Sequence, residues 1–240
     1  ERIAIAANHT ATHLLHYALR EVLGKHVTQA GSSVTSERLR FDYAHYSQLK
    51  KEELDQVERI VNQKIRENHR VISETIGLQT AKEKGAIALF NEKYGEQVRM
   101  VDIGGFSKEL CGGTHLEQTS GIGIFKIVLE QGIGSALRRI EAVTGERAWD
   151  YIKKDESILE ELQKSLEVTT DKLPQKVEQL LSERESLARS YRLLRKNTLP
   201  YRLEGIIQSK KVIKEISLVS AILDIDDKSE LRTAGDLIKE

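Results

Sequence analysis

The sequence predicts an α+β protein in which helices pack on an antiparallel sheet, followed by a helical hairpin or coiled coil. Across about the first 150 residues, segments with helical spacing lie between segments that alternate like strands. Twelve of the sixteen glycines lie between Gly77 and Gly145, a stretch that is typical of short strands and tight turns. No glycine occurs from Glu146 to Glu204, where apolar residues recur every seven positions, as in a helical coil.

The elements of the first 150 residues follow from these patterns in order. Apolar residues at helical spacing predict a first helix from about Ile3 to Leu23, which Gly24 ends. The same periodicity predicts an amphipathic helix over 50–69 and a short helix over 78–89. Alternation and β-branched or aromatic content predict two strands within 26–46 and further strands within 70–77, 97–105 and 121–145.

The segment 151–203 carries the heptad spacing, in a series of eight residues: Ile152, Leu159, Leu166, Leu173, Leu180, Leu187, Leu194 and Tyr201. The second heptad position is mostly polar, and Pro174 interrupts the pattern. A threonine or aspartate just before Pro174 can cap a new helix that holds the proline in its first turn. We therefore expect two helices folded back on each other. They could form a solvated spacer or a dimerisation coil, and the sequence does not choose between these.

The last segment, 204–240, contains one strand in "EISLVSAIL" and one helix, too little to bury a core. We expect it to be the start of a C-terminal domain that this chain does not complete. The absence of a starting methionine and the unterminated helical ending "AGDLIKE" also favour a piece of a longer protein. The predicted domains are therefore 1–150, 151–203 and 204–240.

Composition narrows the class of protein. The 240 residues carry 37 Lys and Arg against 37 Asp and Glu, so a basic surface for nucleic acid would have to be a local patch. Cys111 is the single cysteine, which excludes an internal disulfide and fits a reducing compartment. The sequence shows neither a signal peptide nor an apolar run of membrane-spanning length, so we expect a cytoplasmic protein with no membrane partner.

The stretch "NHTATHLLH" holds three histidines inside an apolar helical pattern. His9 and His13, four residues apart, project to the same side of a helix, whereas His16 lies two turns from His9. Such a pair alone is weak evidence for a metal, because a packed, hydrogen-bonded histidine is common. A metalloprotease is disfavoured, because Thr10 stands where such a helix needs a glutamate base. Chemistry here would need a base from elsewhere, substrate groups or ordered water.

The second pair lies in "ELCGGTHLE", where His115 follows Cys111 by four residues. Gly112 and Gly113 allow the tight backbone that would turn both side chains to one site. Together, His9, His13, Cys111 and His115 predict a tetrahedral zinc site with three imidazoles and one thiolate. The alternative is a buried free thiol near unrelated histidines.

The segments "NHTATHLLHYALREVLG", "VTQAGS", "RFDYAH", "CGGTH" and "LRRIEAVTG" resemble, in order and spacing, the editing domain of alanyl-tRNA synthetases. The resemblance covers about the first 150 residues and implies the fold called the second additional domain of threonyl- and alanyl-tRNA synthetases. The coil and the tail resemble the helical segment and the C-terminal globular domain that come after the editing domain in the synthetase. Free-standing alanyl-tRNA editing proteins carry a related domain but account less well for the long coil.

The resemblance implies a function. The family hydrolyses serine, and to a lesser degree glycine, from mischarged tRNA(Ala). By motif, the four predicted zinc ligands match metal positions, and Thr12 and Gln29 match positions linked to recognition of the mischarged amino acid. With His9 and His13 they form the expected catalytic set. The zinc could be catalytic or structural, and a metal-free histidine mechanism stays open, as in the related threonyl domain.

The remaining implications concern the partners and the parent enzyme. Arg138 and Arg139 match the family's arginine motif, with a structural or tRNA-facing role, and Ala136 stands where the family often has glycine. A homodimer could form through the coil or the C-terminal region. The parent enzyme would be an ATP-dependent alanine--tRNA ligase, but this chain has no ATP-binding motif and should not charge tRNA. A second hypothesis is a catalytically inert tRNA-binding or dimerisation module that uses Arg184, Arg189, Arg192, Arg195 and Lys196.

Overall fold

The computed structural model describes residues 1–88, 94–223, 225 and 228–239. The chain consists of two compact units, Glu1–Ser157 and Ile158–Glu240. The first combines helices with antiparallel sheets and the second is mainly a long helix, which confirms the predicted fold class. No helix in the described part of the chain is both long and apolar enough to cross a membrane.

The first unit contains α1 (Arg2–Leu23), β1 (Gln29–Val34), β2 (Leu39–Ala44), α2 (Lys51–Arg66), β3 (Val71–Gly77), α3 (Leu78–Glu83), β4 (Gln97–Ile103), β5 (Ser107–Leu110), β6 (Phe125–Gly134) and β7 (Leu137–Thr144). Helix α4 (Gly145–Leu166) begins in this unit and ends in the second. The second unit continues with α5 (Leu173–Gln208), β8 (Lys211–Ile213), β9 (Ile216–Leu218) and α6 (Lys228–Lys239).

Two antiparallel sheets build the first unit. One has the strand order β1-β2-β7-β6 and the other β3-β4-β5. The core forms where α1 and α2 bury their apolar faces against these strands, and Leu14, Leu15, Phe41 and Ile140 are fully buried there. The alternation of β2 places Leu39, Phe41 and Tyr43 in this core. The sheet thus supplies a rigid surface that fixes α1.

Helix α1 is also held by a buried polar residue. Asn8 Nδ2 donates to the Thr35 carbonyl oxygen at 2.9 Å, and Asn8 Oδ1 accepts from the Thr144 hydroxyl at 2.7 Å. These bonds tie the N-terminal half of α1 to the ends of two strands. Because Asn8 precedes His9, they also fix the start of the histidine pair.

Most predicted elements of the first unit are present, with one addition. Strand β5 was not predicted, because it is only four residues long and leads directly into the glycine pair. It pairs with β4 and carries Glu109 toward α1. The short helix predicted over 78–89 ends earlier, with α3 at Glu83, and position 89 lies outside the described residues.

In the helical segment, the predicted interruption before Pro174 is present, but the predicted capping of the following helix is not. Pro174 lies in the first turn of α5, as expected. The expected capping by a threonine or aspartate is wrong, because Lys172 occupies the N-cap and makes no side-chain cap hydrogen bond. The residues before it instead form a short 3₁₀ turn, Thr170–Lys172, and the Gln163 amide donates to the Thr170 hydroxyl at 2.6 Å.

Most of the heptad leucines of α5 face solvent within this chain. Leu180, Leu187 and Leu194 are 40%, 70% and 62% exposed. The C-terminal part of α5 is different, because Leu199 and Leu203 pack with Ala234 of α6 in a small core. The tail therefore packs on its own helix, which is one of the arrangements open to a segment too small for a separate core.

The strand predicted over 215–223 is much shorter in the structure. Only Ile216–Leu218 is extended and paired, with Lys211–Ile213, in a hairpin whose residues are all exposed. Lys214 and Glu215 both have positive φ values, 49° and 68°, as a tight two-residue hairpin turn requires. Beyond Leu218 the chain is not paired as a strand: Ile222 is fully exposed, whereas Leu223 is partly buried against the small core of α5 and α6.

Ala136 lies in the turn between β6 and β7 and has a φ of 55°, in the left-handed region. An L-residue is strained there because its Cβ approaches the backbone, at a cost of roughly 1–2 kcal/mol, whereas glycine is not. The turn is also fastened, since the Ala136 carbonyl accepts from the His45 amide at 3.0 Å. This conformation explains why glycine suits the position.

We predict that Ala136→Gly stabilises the first unit by about 1 kcal/mol, because the relief of strain exceeds the added chain entropy of glycine. Ala30→Gly is the matched control, since Ala30 is exposed in β1 and has an ordinary φ, so glycine there should destabilise. Urea unfolding followed by circular dichroism measures both. Equal destabilisation by the two changes would contradict the assignment of strain to Ala136.

Candidate metal centre

The structure brings the four predicted ligands together. His9 and His13 project from α1, and Cys111 and His115 come from the loop after β5. One ligand atom from each residue lies within 4.8 Å of the others, and the Cys111 Sγ and His9 Nε2 atoms are 3.3 Å apart. The helix and the glycine loop therefore meet at one point, although 102 residues separate His9 from Cys111.

The donor set of this cluster suits a zinc ion. Three imidazoles and a thiolate form one of the ligand sets that zinc takes in tetrahedral sites. Within the described protein, the Nε2 atoms of His13 and His115 are buried and have no hydrogen-bond partner. A buried polar atom without a partner is costly, so these two atoms fit a bound cation.

The cluster favours the thiolate form of Cys111. Burial by itself would raise the pKa of this thiol, but the polar environment of the surrounding His115, His13 and His9 imidazoles lowers it to about 3. A thiolate is the form that binds a metal. Burial also lowers the pKa of His115, which keeps that imidazole neutral and able to act as a ligand.

A buried carboxylate lies behind the cluster. The oxygens of Glu109 are 3.1 Å from His13 Nδ1 and 3.1 Å from His16 Nδ1, and the Ser107 hydroxyl donates to Glu109 at 3.3 Å. Burial would raise the pKa of Glu109, but the charge and hydrogen bond of His13 lower it well below its usual range. In return, the pKa of His13, which burial alone would lower, is raised to about 10 by this carboxylate, so a metal ion that binds His13 Nε2 would displace a proton from it.

Glu109 also accounts for the third histidine of "HTATHLLH". As the helical geometry predicts, His16 does not join the four ligands and instead contacts the opposite oxygen of Glu109. Sequence reasoning missed this carboxylate, although a signal was present. Glu109 and Cys111 are two residues apart along an extended segment, so their side chains share one face.

Thr10 is a second contact that sequence reasoning missed. It stands where a metalloprotease helix would have glutamate, but it is fully buried and makes structural hydrogen bonds. Its hydroxyl accepts from the Leu116 amide at 3.1 Å, donates to the Ala6 carbonyl at 2.8 Å, and lies 3.5 Å from His115 Nδ1. Thr10 therefore joins α1 to the segment that carries His115.

Thr12 and Gln29 do not hydrogen bond to the four ligands in the described structure. Thr12 is buried, and its hydroxyl donates to the Asn8 carbonyl at 2.9 Å. Gln29 begins β1, and its amide nitrogen donates to the Ser32 hydroxyl at 3.1 Å. Each side chain keeps an oxygen that can accept a further hydrogen bond.

The two arginines of β7 are engaged within the fold. Arg139 makes a two-pronged pair with Asp42, at 2.7 and 2.8 Å, and Arg138 pairs with Glu130 at 2.7 Å. Both arginines therefore join neighbouring strands of the four-stranded sheet. The basic residues of α5 differ from one another, since Arg195 pairs with Glu230, whereas Arg184 and Arg192 are exposed.

Comparison with known proteins gives the family. Residues 98–141 match the family described as the threonyl and alanyl tRNA synthetase second additional domain. This match contains Glu109, Cys111, His115 and both arginines of β7, while His9 and His13 precede it. The domain family thus covers the loop half of the cluster.

The relatives extend this result over nearly the whole chain. An alanine--tRNA ligase of Listeria innocua is 46% identical over 233 residues, which is 97% of this chain and 26% of that protein. Those of Bacillus anthracis and Clostridioides difficile are 43% and 42% identical over 99% and 100% of the chain, and 27% of each protein. The chain spans about a quarter of the length of these curated relatives. It therefore corresponds to a segment of the alanine--tRNA ligase family that contains the threonyl and alanyl tRNA synthetase second additional domain.

Proposed function

We propose that this segment hydrolyses the ester bond of tRNA(Ala) mischarged with serine, and more weakly with glycine, as the editing part of an alanine--tRNA ligase. The observation that carries the proposal is the convergence of His9 and His13 with Cys111 and His115, within and beside the matched domain. The aminoacylation and ATP use of a whole ligase would come from sequence outside this segment.

Editing is needed because serine differs from alanine only by a hydroxyl. A pocket built for alanine rejects such an isostere by roughly 10²-fold. A second site that hydrogen bonds to the hydroxyl can prefer serine by on the order of 10⁴-fold, because alanine would leave its polar groups unpaired. We assign this contact to Thr12 and Gln29, and the available oxygen of each side chain supports the assignment.

We propose zinc as the cofactor, held by His9, His13, Cys111 and His115. When bound, the metal would supply Lewis-acid activation of the ester carbonyl or of water, or hold the substrate's amino group. Glu109 accepts a hydrogen bond from His13 Nδ1, which leaves His13 Nε2 as the nitrogen that faces the metal position. With both carboxylate oxygens turned to imidazoles, Glu109 acts here as a support for ligands and not as the general base.

The exposed surface of α5 favours a second candidate function, tRNA binding or dimerisation. Arg184, Arg189, Arg192 and Lys196 are exposed along α5 and could contact phosphates, and the exposed leucines of the same helix could pair two copies. In that case the segment would bind tRNA or dimerise without hydrolysing the ester. Arg138 and Arg139 could add to tRNA binding only by sharing their carboxylate partners.

We predict that the purified chain hydrolyses Ser-tRNA(Ala) and leaves Ala-tRNA(Ala) intact. His9→Gln should reduce the rate at least 100-fold, because it removes one of the four converging groups. His26→Gln is the control, since His26 is exposed and lies outside the cluster. Binding of tRNA without hydrolysis, by the unmodified chain, would reject editing in favour of the binding module.

We predict one zinc ion per chain in protein purified without chelator under reducing conditions. Thiol oxidation would remove a ligand, so the reductant matters. Metal analysis should give a stoichiometry near one, falling toward zero in Cys111→Ala and unchanged in the His26→Gln control. A stoichiometry near zero that added zinc does not raise would contradict the metal assignment and favour a histidine-based mechanism.

We predict that Gln29→His lowers Ser-tRNA(Ala) hydrolysis at least tenfold without unfolding the domain, because Gln29 is only partly buried and its hydrogen bond is to exposed Ser32. Gln56→His, on the exposed face of α2, is the matched control. Hydrolysis rates and melting curves are compared for both. An unchanged rate would remove Gln29 from the site, and a collapsed melting curve would make its role structural.

A further inference from the structure

The glycine loop that carries Cys111 is held by an arginine that has no role in the proposed chemistry. Arg99, on β4, donates through one terminal nitrogen to the Cys111 carbonyl at 2.9 Å and to the Gly113 carbonyl at 2.6 Å. Its other terminal nitrogen donates to the Ser73 hydroxyl at 2.8 Å. An arginine that binds uncharged oxygens of one loop fixes shape, because its planar fork holds several acceptors in one geometry.

Arg99 and Cys111 each donate a hydrogen bond to the other. The Cys111 amide donates to the Arg99 carbonyl at 3.0 Å, while the Arg99 side chain binds the Cys111 carbonyl. Both backbone groups of Cys111 are therefore fixed by a single residue. The Gly113 amide also lies 3.5 Å from Cys111 Sγ and points a donor at it.

Held in this way, the loop lies directly against His9. A Cβ atom at Gly113 would fall 1.8 Å from His9 Cε1 and 2.2 Å from His9 Nδ1, distances at which no side chain can exist without displacing the ring. Gly112 is different, because a Cβ atom there would meet nothing within 4 Å. Neither glycine has a positive φ, so the need at Gly113 is for space and not for backbone freedom.

We propose that Arg99 and Gly113 are positioning residues that set Cys111 against His9: Arg99 fixes the loop, and Gly113 leaves the room in which the His9 imidazole lies. The inference rests on the proposed metal site for its binding readout, but the placement of His9 itself does not require a metal. It explains why the two glycines of "CGGTH" are unequal, which their spacing alone does not show.

The test compares two alanine substitutions one residue apart. Cobalt(II) is titrated into the metal-free protein, and zinc affinity is measured by competition with a chromophoric chelator. Gly113→Ala should weaken zinc binding at least tenfold and reduce the visible and thiolate charge-transfer bands of the cobalt complex. Gly112→Ala should bind within about threefold of the unmodified chain, with the same spectrum. Equal behaviour of the two variants would overturn the role of Gly113.

A second pair tests Arg99. Arg99→Lys keeps the charge but loses the fork, so a roughly 10–100-fold weaker zinc affinity would report geometry and not electrostatics. Arg66→Lys is the control, because Arg66 is exposed on α2. An affinity for Arg99→Lys equal to that of the control would overturn the role of Arg99. This pair also serves if Gly113→Ala fails to fold.

A metal-independent measurement separates this inference from the zinc assignment. Imidazole resonances of His9 are recorded by NMR in metal-free protein, with melting curves as the check on folding. Gly113→Ala should shift the His9 resonances and Gly112→Ala should not. If the unmodified chain binds neither cobalt nor zinc, the metal proposal fails, and the His9 resonances alone decide whether Gly113 positions this ring.

Discussion

The buried Glu109 carboxylate between His13 and His16 is the interaction on which the cluster depends. Removing a carboxylate from water is costly, and the cost is tolerable only when its oxygens are hydrogen bonded or paired. Here two imidazoles from α1 contact one carboxylate from β5, so the desolvation cost is offset only when helix and strand are docked. Because an ionised carboxylate only accepts, each contacting Nδ1 must carry a proton. That requirement leaves His13 Nε2 directed to the cluster.

The other contacts of the cluster follow the same logic of joining α1 to distant backbone. Asn8 ties the helix to the ends of β1 and β7, and Thr10 binds the segment that carries His115. Arg99 holds the loop of Cys111 from the other side. Each of these contacts links groups far apart in sequence, so the cluster exists only in the folded unit. A ligand that binds the cluster would therefore also stabilise that unit.

Sequence reasoning succeeded where a local rule decides the outcome. The spacing of His9 and His13 on a helix, and of Cys111 and His115 across two glycines, is geometry that short segments carry by themselves. The spacing of Glu109 from Cys111 indicates a shared face, but its contact with α1 depends on the pairing of β5 with β4, which that spacing does not specify. The predictions of a longer strand around Ile216–Leu218 and of a capped start for α5 were wrong for a related reason. Alternation and capping residues indicate only what a segment can do, and tertiary packing decides whether it does so.

The hydrogen bonds of Thr12 and Gln29 bear on selectivity under the proposed function. The Thr12 hydroxyl already donates its hydrogen bond to the Asn8 carbonyl, and the Gln29 amide nitrogen donates to the Ser32 hydroxyl. What both side chains still offer is an acceptor oxygen, and the hydroxyl of a seryl ester is a donor. Alanine and glycine lack that donor, so either would leave the acceptors without this partner, at a cost of about 1–3 kcal/mol at Thr12, which is buried. Under this proposal glycine would enter only as the smaller molecule, without the hydrogen bond, so hydrolysis should be strongest toward serine and weaker toward glycine.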